Sequence, residues 1–403
     1  MYVEAQYMII GGKKRNSFIQ HRQVNHMREH NHTQEATLVL SNVRMTDGRR
    51  ADIVLDGEHI AELAPPGQGQ AERKLDCTGL YVSSGWIDMH VHAFPEFDPY
   101  GDEIDEIGIR QGVTTIVDAG SCGADRIGEL AASARSARTN LLAFLNISRI
   151  GLSRIDELSR LEWIDAERAA EAVRAHPDLI VGLKARISGS VVKENGIQPL
   201  RMARSLSGAL SLPLMVHIGS GPPDITEVIP LLEKNDVLTH YLNGKHNNLF
   251  DAAGNPLPVL TEAISRGVHL DVGHGTASFS FRVAEAARRH GIAPDTISSD
   301  IYRGNRLNGP VYSLANVMSK FLHLGYSLQE IVDAVTVRAA DWLNRPELGR
   351  IRPGESANLT LFAVEDGPVP LTDSEGAVLT ASHSIHPKGV VIHGQYAACE
   401  IRP

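Results

Sequence analysis

Cysteine is scarce in this chain. Only Cys77, Cys122 and Cys399 occur in 403 residues, far apart and with no CxxC pair. An odd, scattered set excludes a disulfide framework and a cysteine-rich zinc module. Positive charge is also in short supply. Lys and Arg total 39 against 48 Asp and Glu, for a net charge of −9. An acidic chain has no general attraction to nucleic acid or to an anionic membrane, so neither is expected as a partner. No run of 18 apolar residues occurs, so no membrane span is expected. A Gly-rich phosphate loop after the first strand of the central region is missing too, which argues against a doubly wound nucleotide-binding sheet. Apolar residues make up 42% and charged residues 22%, as in ordinary soluble proteins, and the expected location is the cytoplasm. What the chain has in abundance is histidine, 18 in all.

The organisation changes along the sequence. Residues 1–36 show scattered apolar side chains, the cluster Lys13-Lys14-Arg15 and four histidines, without a sustained hydrophobic period. A disordered arm is expected there. Its one apolar patch, Met8-Ile9-Ile10, is too short for the core of a secretory signal. Short runs rich in Val, Ile and Leu, punctuated by Asp-Gly and Pro-Pro-Gly, occupy 37–82, and the same style returns over 345–403. These are the signals of strands and turns. They predict one small antiparallel β-domain closed by both ends of the chain.

The middle, 83–344, alternates apolar runs with helical stretches such as 167–176 and 280–290. Eight β-runs are expected, at 86–92, 114–120, 141–147, 179–186, 212–219, 236–242, 268–275 and 296–302. Eight βα units over this length predict an α/β fold of the (β/α)₈ TIM-barrel type, with its active site at the C-terminal ends of the strands. Polar residues collect at those ends. The first run ends in His90-Val91-His92, and alternation puts both imidazoles on one face. Lys184, His217, His240, His274 and Asp300 fall at or near the ends of runs four to eight.

Taken singly, each of these has a plain structural explanation: a hydrogen-bonded histidine, a rim lysine, a capping aspartate. Their joint placement points to a metal site. Imidazole and carboxylate suit zinc and similar divalent cations. The set exceeds what one catalytic zinc needs. A lysine buried beside two cations can stay neutral and take up CO₂ as a carbamate, a bidentate anion that bridges two metals. Two such ions activate a water and polarise a substrate oxygen.

Motifs narrow this further. GWIDMHVH (85–92) resembles the first-strand signature of the amidohydrolase superfamily, and LGRIRPGESANLTLF (348–362) resembles its closing pattern. QGVTTIVDAGSCGAD (111–125), VGLKARISGSVV (181–192) and VGHGTASFSF (272–281) resemble the dihydroorotase-like amidohydrolase and deacetylase group. The resemblance runs from about Thr37 to the end of the chain. It implies that His90, His92 and Asp300 hold the more buried of two divalent ions, expected to be zinc, and that His217 and His240 hold the other. It implies a CO₂-derived carbamate on Lys184 as the bridge, and Asp300 as the proton carrier. Some D-aminoacylases use a bridging cysteine after the second strand instead, and Cys122 stands there. The apolar approach Leu179–Leu183 favours Lys184 as an inward-facing residue. Arg186, two residues beyond it on the same face, is expected to bind a substrate carboxylate, or else to form an outer salt bridge. His274 is expected to donate to substrate.

The activity expected is deacetylation of a small acyl α-amino or α-hydroxy acid. Alternatives are cyclic-amide opening of the dihydroorotase type, and a metal-free assembly role on the same fold. A mononuclear deaminase would need a Glu shortly after His240, and His240-Tyr241-Leu242-Asn243 offers none. The partner expected is a small molecule, and a homo-oligomer is compatible with all of this.

Overall fold

The computed structural model describes residues 36–400. The arm expected at 1–36 lies outside them, Ala36 apart. The described strands are β1 (Leu38–Met45), β2 (Arg50–Asp56), β3 (His59–Ala64), β4 (Arg73–Asp76), β5 (Tyr81–Ser84), β6 (Trp86–Val91), β7 (Val113–Ala119), β8 (Asn140–Asn146), β9 (Ile180–Ile187), β10 (Leu214–Ile218), β11 (Val237–Thr239), β12 (His269–Asp271), β13 (Leu359–Thr372), β14 (Val378–Ile392) and β15 (Gln395–Ala398).

Strands β6 to β12 form one parallel sheet in chain order. Every residue of β6 and β7 is buried. Parallel strands covered on both faces read as unbroken apolar runs, which is how they look in the sequence. Inside the barrel Ile87, Met89, Val117, Ala119, Phe144 and Met215 fill the lower layer. Ala339 and Ala340, on the helix Val337–Trp342, close it from below. Connecting helices are capped locally. Asp165, for example, accepts from the backbone N–H of Glu167 and Arg168 to start Ala166–Ala175.

The run at 296–302, expected as an eighth strand, departs from a regular ladder. It makes two isolated parallel bridges, Val91 with Ile301 and Asp271 with Thr296. Asp300 has φ +51°, and a left-handed residue interrupts the extended backbone that a ladder requires. The segment still spans the gap. Asp300 N donates to His90 O at 2.7 Å and His92 N to Ile301 O at 2.9 Å, while Val272 N donates to Thr296 O at 3.1 Å on the other side. The result is a nearly closed TIM-like barrel of seven strands and one irregular segment.

Both chain ends build the second sheet, ordered β15-β14-β13-β5-β1-β2-β3, with β4 also on β1. It is mixed, not wholly antiparallel: β1 pairs parallel with β4 and β5. After the β1–β2–β3 meander the chain crosses back to the far side of β1, and so enters β4 in the same direction. The hairpin β13–β14 is long. Leu359, Leu361 and Val391 belong to the β-sheet core, whereas Leu371, Ala381 and Ile385 belong to the barrel core. Its tip reaches the end of the barrel where the strands finish, and there Ser374 Oγ donates to Gly275 O at 2.9 Å. No described helix is long and apolar enough to cross a membrane.

Candidate metal centre

Strand register sets the site. Lys184 stands opposite Met215, Arg186 opposite His217, and His217 opposite Thr239, so these side chains share the inner face in two layers. On β6 the ladder with β7 slips between Asp88 and Val91. Met89 joins the lower interior cluster and Val91 the outer one. Such an irregularity re-aims side chains, and it turns both His90 and His92 inward. His240 lies just past β11 at φ +69°.

His90, His92 and Asp300 converge. Asp300 Oδ1 is 3.4 Å from His90 Nε2 and 3.2 Å from His92 Nε2, and one donor atom from each residue fits within a 4.8 Å span. The rings are held from behind. His90 Nδ1 lies 2.9 Å from Thr239 Oγ1, which donates to Asp271 Oδ2 at 2.8 Å. The threonine oxygen therefore accepts from Nδ1–H, leaving the Nε2 lone pair toward the centre. His240 Nδ1 donates to Gly273 O at 2.6 Å, and its Nε2 is buried with no partner. His92 Nδ1 rests 2.9 Å from Ser121 Oγ. The His217 ring stands 4.4 Å from that of His240, which is 5.0 Å from that of His90. Oriented imidazoles, one of them an orphan, with a carboxylate among them are a donor set that suits a divalent ion such as zinc.

The electrostatics agree. Burial holds His217 and His240 well below the usual histidine range, and burial followed by Lys184 brings His90 down to about 4. All three are neutral at pH 7, as ligands must be. Burial alone would raise the Asp300 carboxyl, but His90, His92 and His240 outweigh it and hold the group well below the usual carboxylate range. Lys184 is buried, with Nζ 3.2 Å from His90 Nε2 and 3.2 Å from Met215 Sδ. No carboxylate among the described residues pairs with it, and burial lowers its pKa from 10.5 to about 7. Two glycines make room. A Cβ on Gly120 (φ +82°) would come within 2.5 Å of Lys184 Cβ, and one on Gly275 (φ +55°) would strike the Asp300 carboxylate.

The remaining sequence candidates lie as follows. Arg186 lines the cavity, and its Nη1 donates to both oxygens of buried Glu157 at 3.1 and 3.2 Å. His274 is fully buried behind the site. Its Nδ1 donates to Gly275 O, its Nε2 is 2.8 Å from Lys320 Nζ, and it is not among the cavity-lining residues. Cys122 is fully buried in the barrel core, its thiol pushed far up by burial, and it too is absent from the cavity lining. Sequence reading missed Asp88 and Asp271. Asp88 accepts from Ser299 N, tying the irregular segment to β6. Both are aspartates inside apolar runs, which was a usable signal. Glu157 and Lys245 come from loops and gave none.

The cavity over the centre has a volume of about 320 Å³. Four larger clefts lie elsewhere among the described residues: two of about 730 and 910 Å³ at the N-terminal ends of the strands, around Thr115 and Asn140 and around Pro213 and Asp236, and two of about 650 and 460 Å³, around Tyr312 and Ile385 and around Gly267 and Trp342. None of the four contains the His-His-Asp group, so chemistry, not size, singles out the candidate cavity.

No family model matches the chain. It is 41% identical over 361 residues to a deacetylase of Enterococcus faecalis, covering 89% of this chain and 98% of that one. It is 34% identical over 376 residues to a deacetylase of Agrobacterium fabrum, covering 90% and 92%. Among solved structures, one described as an adenine deaminase superposes with a TM-score of 0.87 at 41% identity, covering 90% of this chain and all of that one. One described as a dihydroorotase gives 0.83 at 33%, covering 91% and 99%.

Proposed function

The chain belongs to the amidohydrolase superfamily, and on that premise we propose that it is a cytoplasmic, metal-dependent deacetylase of small acyl α-amino or α-hydroxy acids. The observation that carries the metal chemistry is Lys184, a fully buried amine without a carboxylate partner, 3.2 Å from a ligand-ready imidazole. The names of the relatives support deacetylation.

His90, His92 and Asp300 would hold one divalent ion, His217 and His240 a second, and a carbamate on Lys184 would bridge them; zinc suits these donors. Such ions supply Lewis-acid activation of water and of the acyl carbonyl. The protein's own groups do the rest. Asp300, ionised at neutral pH, accepts the proton of the attacking water on its carboxylate and delivers it to the leaving oxygen or nitrogen. Gly275 leaves room for that carboxylate. Thr239 and Asp271 hold His90, and Gly273 O holds His240, so the donors need no rearrangement. Asn243, which donates to His240 O at 2.8 Å, occupies the region where a deaminase would need its acidic group.

The test is a hydrolysis screen of the zinc-loaded protein against N-acetyl amino acids, O-acetyl α-hydroxy acids and cyclic ureides. Acetyl release from one of the first two classes is expected. Dihydroorotate as the best substrate would overturn the deacetylase reading.

A further inference from the structure

Besides Lys184, two basic side chains line the cavity above the metal centre, Arg186 and Lys245. Their charges stand differently. The Arg186 guanidinium is locked onto Glu157, whose carboxylate is fully buried and cannot turn away to solvent. The guanidinium also lies 5.8 Å over the Tyr100 ring. Its charge is matched by Glu157 and its Nη1 is engaged. Lys245 is half-buried, and among the described residues its ammonium makes no ion pair and no hydrogen bond to protein. Burial weighs against its charge, with the Asp300 field opposing. A half-buried cation without a counter-ion is costly unless a ligand supplies one.

The backbone under Lys245 is held in place. Lys245 N donates to Asn243 Oδ1 at 3.1 Å, and Asn248 Nδ2 donates to Lys245 O at 2.6 Å. From the tip of the β13–β14 hairpin, Glu375 accepts from Ser280 Oγ at 2.5 Å and fills the space a side chain on Gly244 would need. The small β-domain thus braces the loop that carries the cation.

We propose that Lys245 is the specificity-determining residue that binds the substrate carboxylate, while Arg186 and Glu157 form a charge-balanced wall of the pocket. Sequence alone pointed to Arg186 for this role, because nothing in it shows that Glu157 reaches the guanidinium from a loop. The proposal rests on the reading that the substrate is a small acyl acid. The ligand it names is a carboxylate placed next to the scissile acyl group.

The test compares O-acetyl-lactate with its N-methylamide on the zinc-loaded protein, and follows the binding of lactate itself by the shift in melting temperature. In Lys245→Met the ratio of kcat/KM for the acid to that for the amide should fall tenfold or more, mainly through KM, and lactate binding should weaken by a similar factor. Lys245→Arg should restore most of both. Arg186→Met should lower the two substrates together. An unchanged acid-to-amide ratio in Lys245→Met overturns the proposal, and so does undiminished lactate binding. If wild-type protein hydrolyses neither ester yet binds lactate through Lys245, the deacetylase reading fails and the carboxylate site stands.

Discussion

Lowering the pH through about 7 should convert Lys184 from a neutral amine to an ammonium, and with it prevent the carbamate proposed to join two metal ions. Burial shifts this amine from 10.5 to about 7. That is a bias of about 5 kcal/mol against the charged form. At pH 7 about half of the amines are then neutral, against roughly 3 in 10,000 for an ordinary lysine. Only the neutral amine adds CO₂. Metal-free protein in ¹³C-labelled bicarbonate, at constant dissolved CO₂, should show one carbamate carbon per chain by NMR at pH 8. The signal should fade as the pH drops through about 7. Zinc uptake, measured by elemental analysis, should follow it toward two ions per chain. Lys184→Ala should show no carbamate, bind less metal and lose hydrolysis. A short carboxylic acid such as propionate should restore part of the rate by filling the space beside His90. A Lys184→Ala protein with two ions and the wild-type rate would refute the reasoning.

Three further outcomes follow from the geometry. Asp300→Asn should cut kcat by about 10² to 10⁴ with circular dichroism unchanged, the usual worth of a lost general base; a fully active variant would remove Asp300 from the mechanism. Lys320, fully buried against His274 Nε2 and Pro310 O, is driven by burial from 10.5 to about 7. Its folded pKa lies below its unfolded one, so between pH 7 and 10.5 the unfolded chain holds the extra proton and this group makes stability rise by up to about 1.4 kcal/mol per pH unit. Lys320→Met should therefore lose ground to wild type as pH rises from 7 to 9.5 in urea denaturation, and parallel curves would contradict the assignment. Cys122→Ala should keep its metal and its rate and lose about 1 kcal/mol of stability; a metal-free variant would instead point to a cysteine bridge.

By itself the sequence determined the barrel and which polar residues stand at one end of its strands. Seven β-runs appear as parallel strands in chain order, because strands buried on both faces must be apolar throughout and a polar residue at their ends stands out. His90, His92, Lys184, His217, His240 and Asp300 were legible as site candidates for that reason. The tertiary structure decided what local patterns do not encode. The eighth segment stays irregular because Asp300 is left-handed, held by His90 O and Asp88 far away in sequence. Arg186 is neutralised by Glu157, 29 residues distant, and His274 turns to Lys320, 46 residues on. Spacing along a strand tells which face a side chain takes. Which charges meet on that face depends on loops brought together by closure of the barrel, and no period in the sequence records that.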